Sequence, residues 1–151
     1  MKKLVKLKLF LSFDTKTKLL YLEAYFLLGW ARLIKCFPFY KVAPLLGEQM
    51  GETSFTYKES NIKFIKRVSQ AINVMSGYTF WESKCLVKAI AGMKMLERRN
   101  IESTLYLGTG KDEIGKLIAH AWLRSGPFYI TGSEGKEKFT VINKFAKKAN
   151  K

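Results

Sequence analysis

Near residue 100 the apolar pattern of this chain changes period, and that change restricts the possible folds more than any other feature. Before it, apolar side chains recur every three or four residues, as on a helix packed along one face. After it they fall in short, strand-like runs. From Thr15 to Cys36, residues Leu19, Leu20, Leu22, Tyr25, Phe26, Leu28, Leu33 and Ile34 predict an apolar-rich helix that Pro38 ends. Ala43 to Tyr57 carries Pro44, Gly47 and Gly51 and reads as a connector. Ile62, Ile65, Val68, Ile72 and Met75 predict a second helix from about Asn61 to Met75, broken at Gly77. Leu86, Ile90, Met93 and Leu96 form the stripe of a third, from about Ser83 to Arg99.

The strand half follows. Ser103 to Gly108 and Leu117 to Arg124 read as strands around a polar loop with Gly110, Asp112 and Glu113. Ser125-Gly126-Pro127 is a turn signal, so Phe128 to Thr131 returns as a hairpin, and Thr140 to Phe145 adds a strand before a lysine-rich tail. Helices first and strands afterwards, with no internal repeat, predict an α+β fold with an antiparallel sheet. The 151 residues suffice for one domain with its own core, read here as a helical and connector segment over 1–58 and a core over 59–151.

Charge narrows the partners without naming one. Lys and Arg number 27 against 12 Asp and Glu, a formal net of +15. Such a balance favours an anionic partner (nucleic acid, a membrane surface or an acidic peptide), or else serves as a solvated basic face. The opening Lys2-Lys3-Leu4-Val5-Lys6-Leu7-Lys8 is no signal peptide, because Lys6 and Lys8 interrupt its apolar stretch and no small-residue cleavage site follows. The run from Leu19 to Ile34 contains Glu23 and Arg32 and is too short to span a bilayer comfortably. Two cysteines make no disulfide scaffold, so reduced thiols in a cytoplasm are expected.

The chemistry centres on one histidine. His120 stands alone, within Ala119-His120-Ala121-Trp122, and with only Cys36 and Cys85 available the spacing is unlike a structural zinc site. Any Cys–His catalysis therefore uses His120. Cys85 follows Ser83, a plausible N-cap, and Lys84; a thiol in the first turn of a helix beside a cation is biased toward its reactive thiolate. Thr79 with Glu82 is the alternative cap, and it sets Cys85 a turn deeper. By spacing alone Cys85 and His120 read equally well as packing residues. Cys36, between Lys35 and Phe37, has no evident partner.

Several segments in order resemble one family. Trp81-Glu82-Ser83-Lys84-Cys85-Leu86-Val87-Lys88-Ala89, Leu96-Glu97-Arg98-Arg99-Asn100-Ile101, Leu105-Tyr106-Leu107-Gly108 and Ala119-His120-Ala121-Trp122-Leu123 resemble the lasso-peptide leader peptidases. These are transglutaminase-like cysteine proteases, and the likeness covers nearly the whole chain. It implies a papain- or transglutaminase-like core in which a helix bearing Cys85 packs on a sheet bearing His120. It further implies removal of the leader from a lasso-peptide precursor, before a separate asparagine-synthetase-like cyclase closes the ring with ATP. With no room for a fused recognition domain ahead of the catalytic half, a PqqD-like leader-recognition protein is expected in trans. No metal or organic cofactor is called for.

The family usually completes a triad with an Asp roughly a dozen residues after the histidine. Here no Asp follows Asp112. A hairpin turn centred on Gly126 sets His120 opposite Gly132, which has no side chain to orient an imidazole. Glu134 shares that face if the strand continues, and it ranks first as third member, ahead of Asp112 or a backbone carbonyl. Two other readings stand beside the peptidase. One is a basic nucleic-acid-binding protein, for which Tyr21, Tyr25, Phe26 and Trp30 supply aromatics but no binding motif; the other is amide transfer by the same Cys–His pair.

Overall fold

A computed structural model describes residues 2–150. In chain order it contains α1 (Lys2–Ser12), α2 (Thr15–Ile34), the short α3 (Phe39–Val42), a 3-10 turn at Ala43–Leu46, β1 (Glu48–Gln49), α4 (Glu59–Met75) and α5 (Cys85–Glu97). The strands β2 (Ser103–Lys111), β3 (Leu117–Ser125), β4 (Phe128–Thr131) and β5 (Thr140–Lys147) follow, with a second 3-10 turn at Lys136–Lys138 before β5. The fold is α+β, and its sheet is antiparallel in the order β1-β5-β2-β3-β4. The change of period near residue 100 is thus the boundary between the helices and the four long or paired strands. Several elements exceed the sequence reading: the N-terminal lysine-leucine segment is helical, α3 and the two 3-10 turns form, and the connector contributes an edge strand, pairing Glu48 with Ala146.

Helix α5 is the centre of the molecule. Val87, Ala89, Ile90, Ala91, Gly92, Met93, Met95 and Leu96 are all buried, so the helix is apolar around its girth rather than along one stripe. Helices α2 and α4 cover one side and the sheet the other. At Gly92 a β-carbon would stand 2.9 Å from Leu123 Cδ2, so the missing side chain lets α5 settle close to β3. Helix α2 differs in kind. Leu20, Tyr21, Ala24, Leu28 and Ala31 face inward, while Leu19, Leu22, Phe26 and Leu33 are exposed along the opposite side. One continuous cluster nevertheless joins α2, α4, α5 and the sheet through Leu28, Ile65, Ile90, Leu105, Leu123 and Phe145.

The far face of the sheet is covered by the connector, and Arg124 fastens it there. This guanidinium is fully buried. It donates from Nη2 to the Thr53 carbonyl (2.7 Å), from Nη1 to those of Gly126 (2.7 Å) and Ser54 (3.2 Å), and from Nε to Tyr106 Oη (2.9 Å). It also lies 3.8 Å over the ring of Phe55. A buried charge is tolerated only when paired and saturated in this way. Glu52 is the anion: it stands 3.6 Å from Arg124 and accepts hydrogen bonds from Tyr106 and Lys144. The Tyr106 bond, then Lys144, hold the Glu52 carboxyl below its usual range, while burial and that same carboxylate push the Tyr106 hydroxyl up to about 12.

Candidate active site

Cys85 is the first residue of α5 and is half-buried. The expected Ser83 cap does not form. Lys84 is the cap residue by backbone geometry and contributes no side-chain bond, while Ser83 Oγ pairs with Thr79 Oγ1 at 2.8 Å. The alternative Thr79–Glu82 box is absent too: the Thr79 hydroxyl is taken up locally by the carbonyls of Ser76 and Trp81, and Glu82 pairs with Lys35 (3.7 Å) and Lys84 (3.8 Å). Start and cap therefore move one residue on. Cys85 sits at the very mouth of the helix, where unpaired first-turn N–H groups and the dipole are most positive. The preceding segment is held to α2 by Trp81, whose ring packs on Gly29 and lies 5.1 Å from the ring of Tyr25.

His120 lies on β3, half-buried, with its ring stacked between Trp122 (5.8 Å between centroids) and Phe139 (4.9 Å). Its Nε2 is 2.7 Å from the Gly132 carbonyl oxygen. A carbonyl only accepts, so this bond places a proton on Nε2, and in the neutral ring the lone pair is then on Nδ1. The carbonyl that orients the ring belongs to Gly132, the residue expected opposite His120, but it arrives by a different register. Ser125 pairs with Phe128 across a two-residue turn, a shift follows between Leu123 and Arg124, and β4 ends where Thr131 meets Leu123. Gly132 then leaves the strand at φ +72°, pressed so tightly on β3 that a β-carbon would lie within 2.4 Å of the Ala121 carbonyl oxygen. Only glycine turns its carbonyl back onto the imidazole there.

The other nominated carboxylates lie elsewhere. Asp112 Oδ1 accepts the backbone N–H groups of Ile114 (3.1 Å) and Lys116 (2.8 Å) and so shapes the β2–β3 turn. Glu134 is exposed and makes no hydrogen bond or ion pair among the described residues. Cys36 is exposed at the end of α2, with Arg32 Nη1 3.2 Å from its sulfur. Phe139 is the site neighbour that sequence reasoning missed. Its only signal was an isolated aromatic in a lysine-rich stretch.

Cys85 and His120 occupy the same end of the sheet. Glu97, at the other end of α5, pairs with Lys147 (3.3 Å), beside the start of β2. Measured from the Gly92–Leu123 contact, Cys85 is about 10 Å back along the helix at 1.5 Å per residue. His120 is about 10 Å back along β3 at 3.3 Å per residue. Strand alternation, however, turns Ala121 and Leu123 toward α5 and His120, Trp122 and Arg124 toward the connector. The two residues thus lie about equally far from that contact along their elements, and no hydrogen bond joins their side chains. The arrangement is a thiol at a helix mouth and, on the sheet, an imidazole oriented by a backbone carbonyl. A family model described as the transglutaminase-like superfamily matches residues 27–144, a span that takes in both residues. No curated protein and no solved structure matches the chain.

Proposed function

The chain belongs to the transglutaminase-like superfamily, a fold of cysteine peptidases and acyltransferases, and from that premise we propose that it is a cysteine peptidase with Cys85 as nucleophile and His120 as base. The observation that carries this reading is the place of Cys85: first residue of α5, half-exposed, inside the family match and about as far from the Gly92–Leu123 contact as the chain's single histidine. His120 Nδ1 takes the thiol proton as the sulfur attacks the substrate carbonyl, then returns it to the departing amine; water hydrolyses the thioester and frees Cys85. The first-turn amides of α5 suit the oxyanion of the tetrahedral intermediate. The Gly132 carbonyl does the orienting work of a triad's third member, with Glu134 the side-chain candidate if the segment after β4 rearranges. Bringing the thiol and the imidazole into contact is the step that substrate binding must bring about, as catalytic contacts often tighten only in the complex.

The substrate we infer is the leader segment of a lasso-peptide precursor in a bacterial cytoplasm, cleaved before an asparagine-synthetase-like cyclase acts. Support comes from the sequence resemblance. A PqqD-like protein would present the leader, and the exposed stripe Leu19, Leu22, Phe26 and Leu33 of α2 is a natural docking face for it. Incubation of precursor with the purified chain, with and without that partner, tests the reading. Cys85→Ala should abolish release of the leader and Cys36→Ala should leave it nearly intact, while an added amine left out of the product separates hydrolysis from amide transfer. Full activity in Cys85→Ala would sink the assignment.

A further inference from the structure

Helix α1 is built unlike the rest of the molecule. None of its residues is buried, and all but Phe10 are exposed. Leu4, Val5, Leu7, Leu9 and Leu11 show between 54% and 63% of their surface to solvent. Contiguous exposed apolar surface of this kind marks a binding face. Phe10 turns inward, its ring 6.4 Å from those of Phe13 and Tyr21, and Lys6 reaches over Tyr78 at 5.3 Å. These contacts fix which side faces the protein. At 100° per residue the exposed Leu and Val side chains spread over roughly 200° of the outer surface. A protein groove reads a narrower stripe, spaced i, i+3, i+4, i+7. A broad apolar sector edged by Lys2 and Lys3, with the long Lys8 side chain at its middle free to extend to the headgroups, suits a fluid apolar boundary with negative charge above it.

We propose that α1 is an in-plane membrane-surface anchor that recognises anionic lipid. Its 11 residues reach about 16 Å, half the hydrocarbon thickness, so the helix lies in the interface and does not cross it. Charge selects the occupant. The first 13 residues hold four lysines and no acidic residue, and the whole chain carries +15. A second copy of the chain would set lysine helix against lysine helix, which like-charge repulsion disfavours. An anionic leaflet attracts each lysine near its surface, worth roughly fivefold in partitioning per residue, while the leucines enter the acyl boundary. The family match begins at residue 27, so α1 stands outside the span that carries the catalytic residues.

Co-sedimentation of the full chain with vesicles tests this, using phosphatidylcholine with and without phosphatidylglycerol at low and high salt. The expected result is binding to the anionic vesicles, weakened by salt and absent on neutral ones. Leu7→Glu with Leu11→Glu should abolish it. Lys3→Gln with Lys8→Gln should lower partitioning roughly 25-fold. Neither pair contributes to the core, and circular dichroism checks that each variant is folded. Four results would each overturn the proposal: no sedimentation, equal binding to neutral vesicles, unchanged binding in both variants, or a concentration-dependent dimer that the Leu7→Glu, Leu11→Glu variant loses. Binding of a poly-glutamate peptide in place of vesicles would reassign the helix to an acidic protein partner.

Discussion

Helices α1 and α5 have similar lengths and both are rich in aliphatic residues, yet α5 buries eight residues and α1 none. The difference lies less in apolar content than in what flanks each helix. α5 has the sheet on one side and two helices on the other, and its small residues (Ala89, Ala91 and Gly92) let all three approach. α1 touches the rest of the chain mainly through Phe10 and Lys6, and a lysine stands at nearly every second or third position of its first two turns. Apolar content makes burial favourable; only neighbours on several sides make it happen. The Cys85 helix is thereby packed on several sides, and α1 is left as surface.

The sharpest test of that contrast is catalytic. His120→Ala should lower leader cleavage roughly a thousandfold or more, given losses at comparable bases, while Leu7→Ala should leave the rate unchanged. Wild-type turnover in His120→Ala would remove the base from the mechanism and leave α5 merely structural. Next comes stability. Met95→Ala, at a fully buried site, should cost about 2–5 kcal/mol in urea unfolding. Leu7→Ala should stay within about 0.5 kcal/mol. Equal costs would mean that α1 is packed after all.

A smaller effect is expected at Gly132, where the base is oriented. Gly132→Ala meets both a positive φ and the Ala121 carbonyl, and should destabilise by about 1–3 kcal/mol. If the carbonyl positions the imidazole, kcat should fall further than the folded fraction does, with little change in KM. A fall matching the folded fraction alone would restrict Gly132 to packing. The smallest effect concerns pH. Glu52 is held below its usual range, so it contributes stability that is present above the ordinary carboxylate value and lost as pH falls through the lowered one. Glu52→Gln should flatten the acid limb of the stability curve, read by thermal melts across that range; an unchanged limb would show that the clamp on the connector draws its strength from Arg124 and the carbonyls alone.

Local pattern carried much of the architecture. Periodicity placed α2, α4, α5 and four strands within a few residues, because helix and strand spacings are local properties of the chain. The pairing of Cys85 with the lone histidine stays a proposal, but the place of that cysteine at a helix start was also legible, because the helical stripe begins just after it. The N-cap was not: Thr79 captured the Ser83 hydroxyl, and hydroxyls choose among nearby partners by fine geometry. Three further features depended on tertiary structure. A two-residue turn and a further one-residue shift moved the hairpin register, but β4 ended at Thr131 before Glu134 could come opposite, so the imidazole met the Gly132 carbonyl and not a carboxylate. Arg124, an ordinary strand residue by pattern, was buried because the connector crossed over it with two carbonyls, joined by that of Gly126 in the neighbouring turn. Which leucines are covered, those of α5 or those of α1, was decided last. That choice depends on which surfaces the completed fold brings together, and a hydrophobic residue exerts no directional preference of its own until they meet.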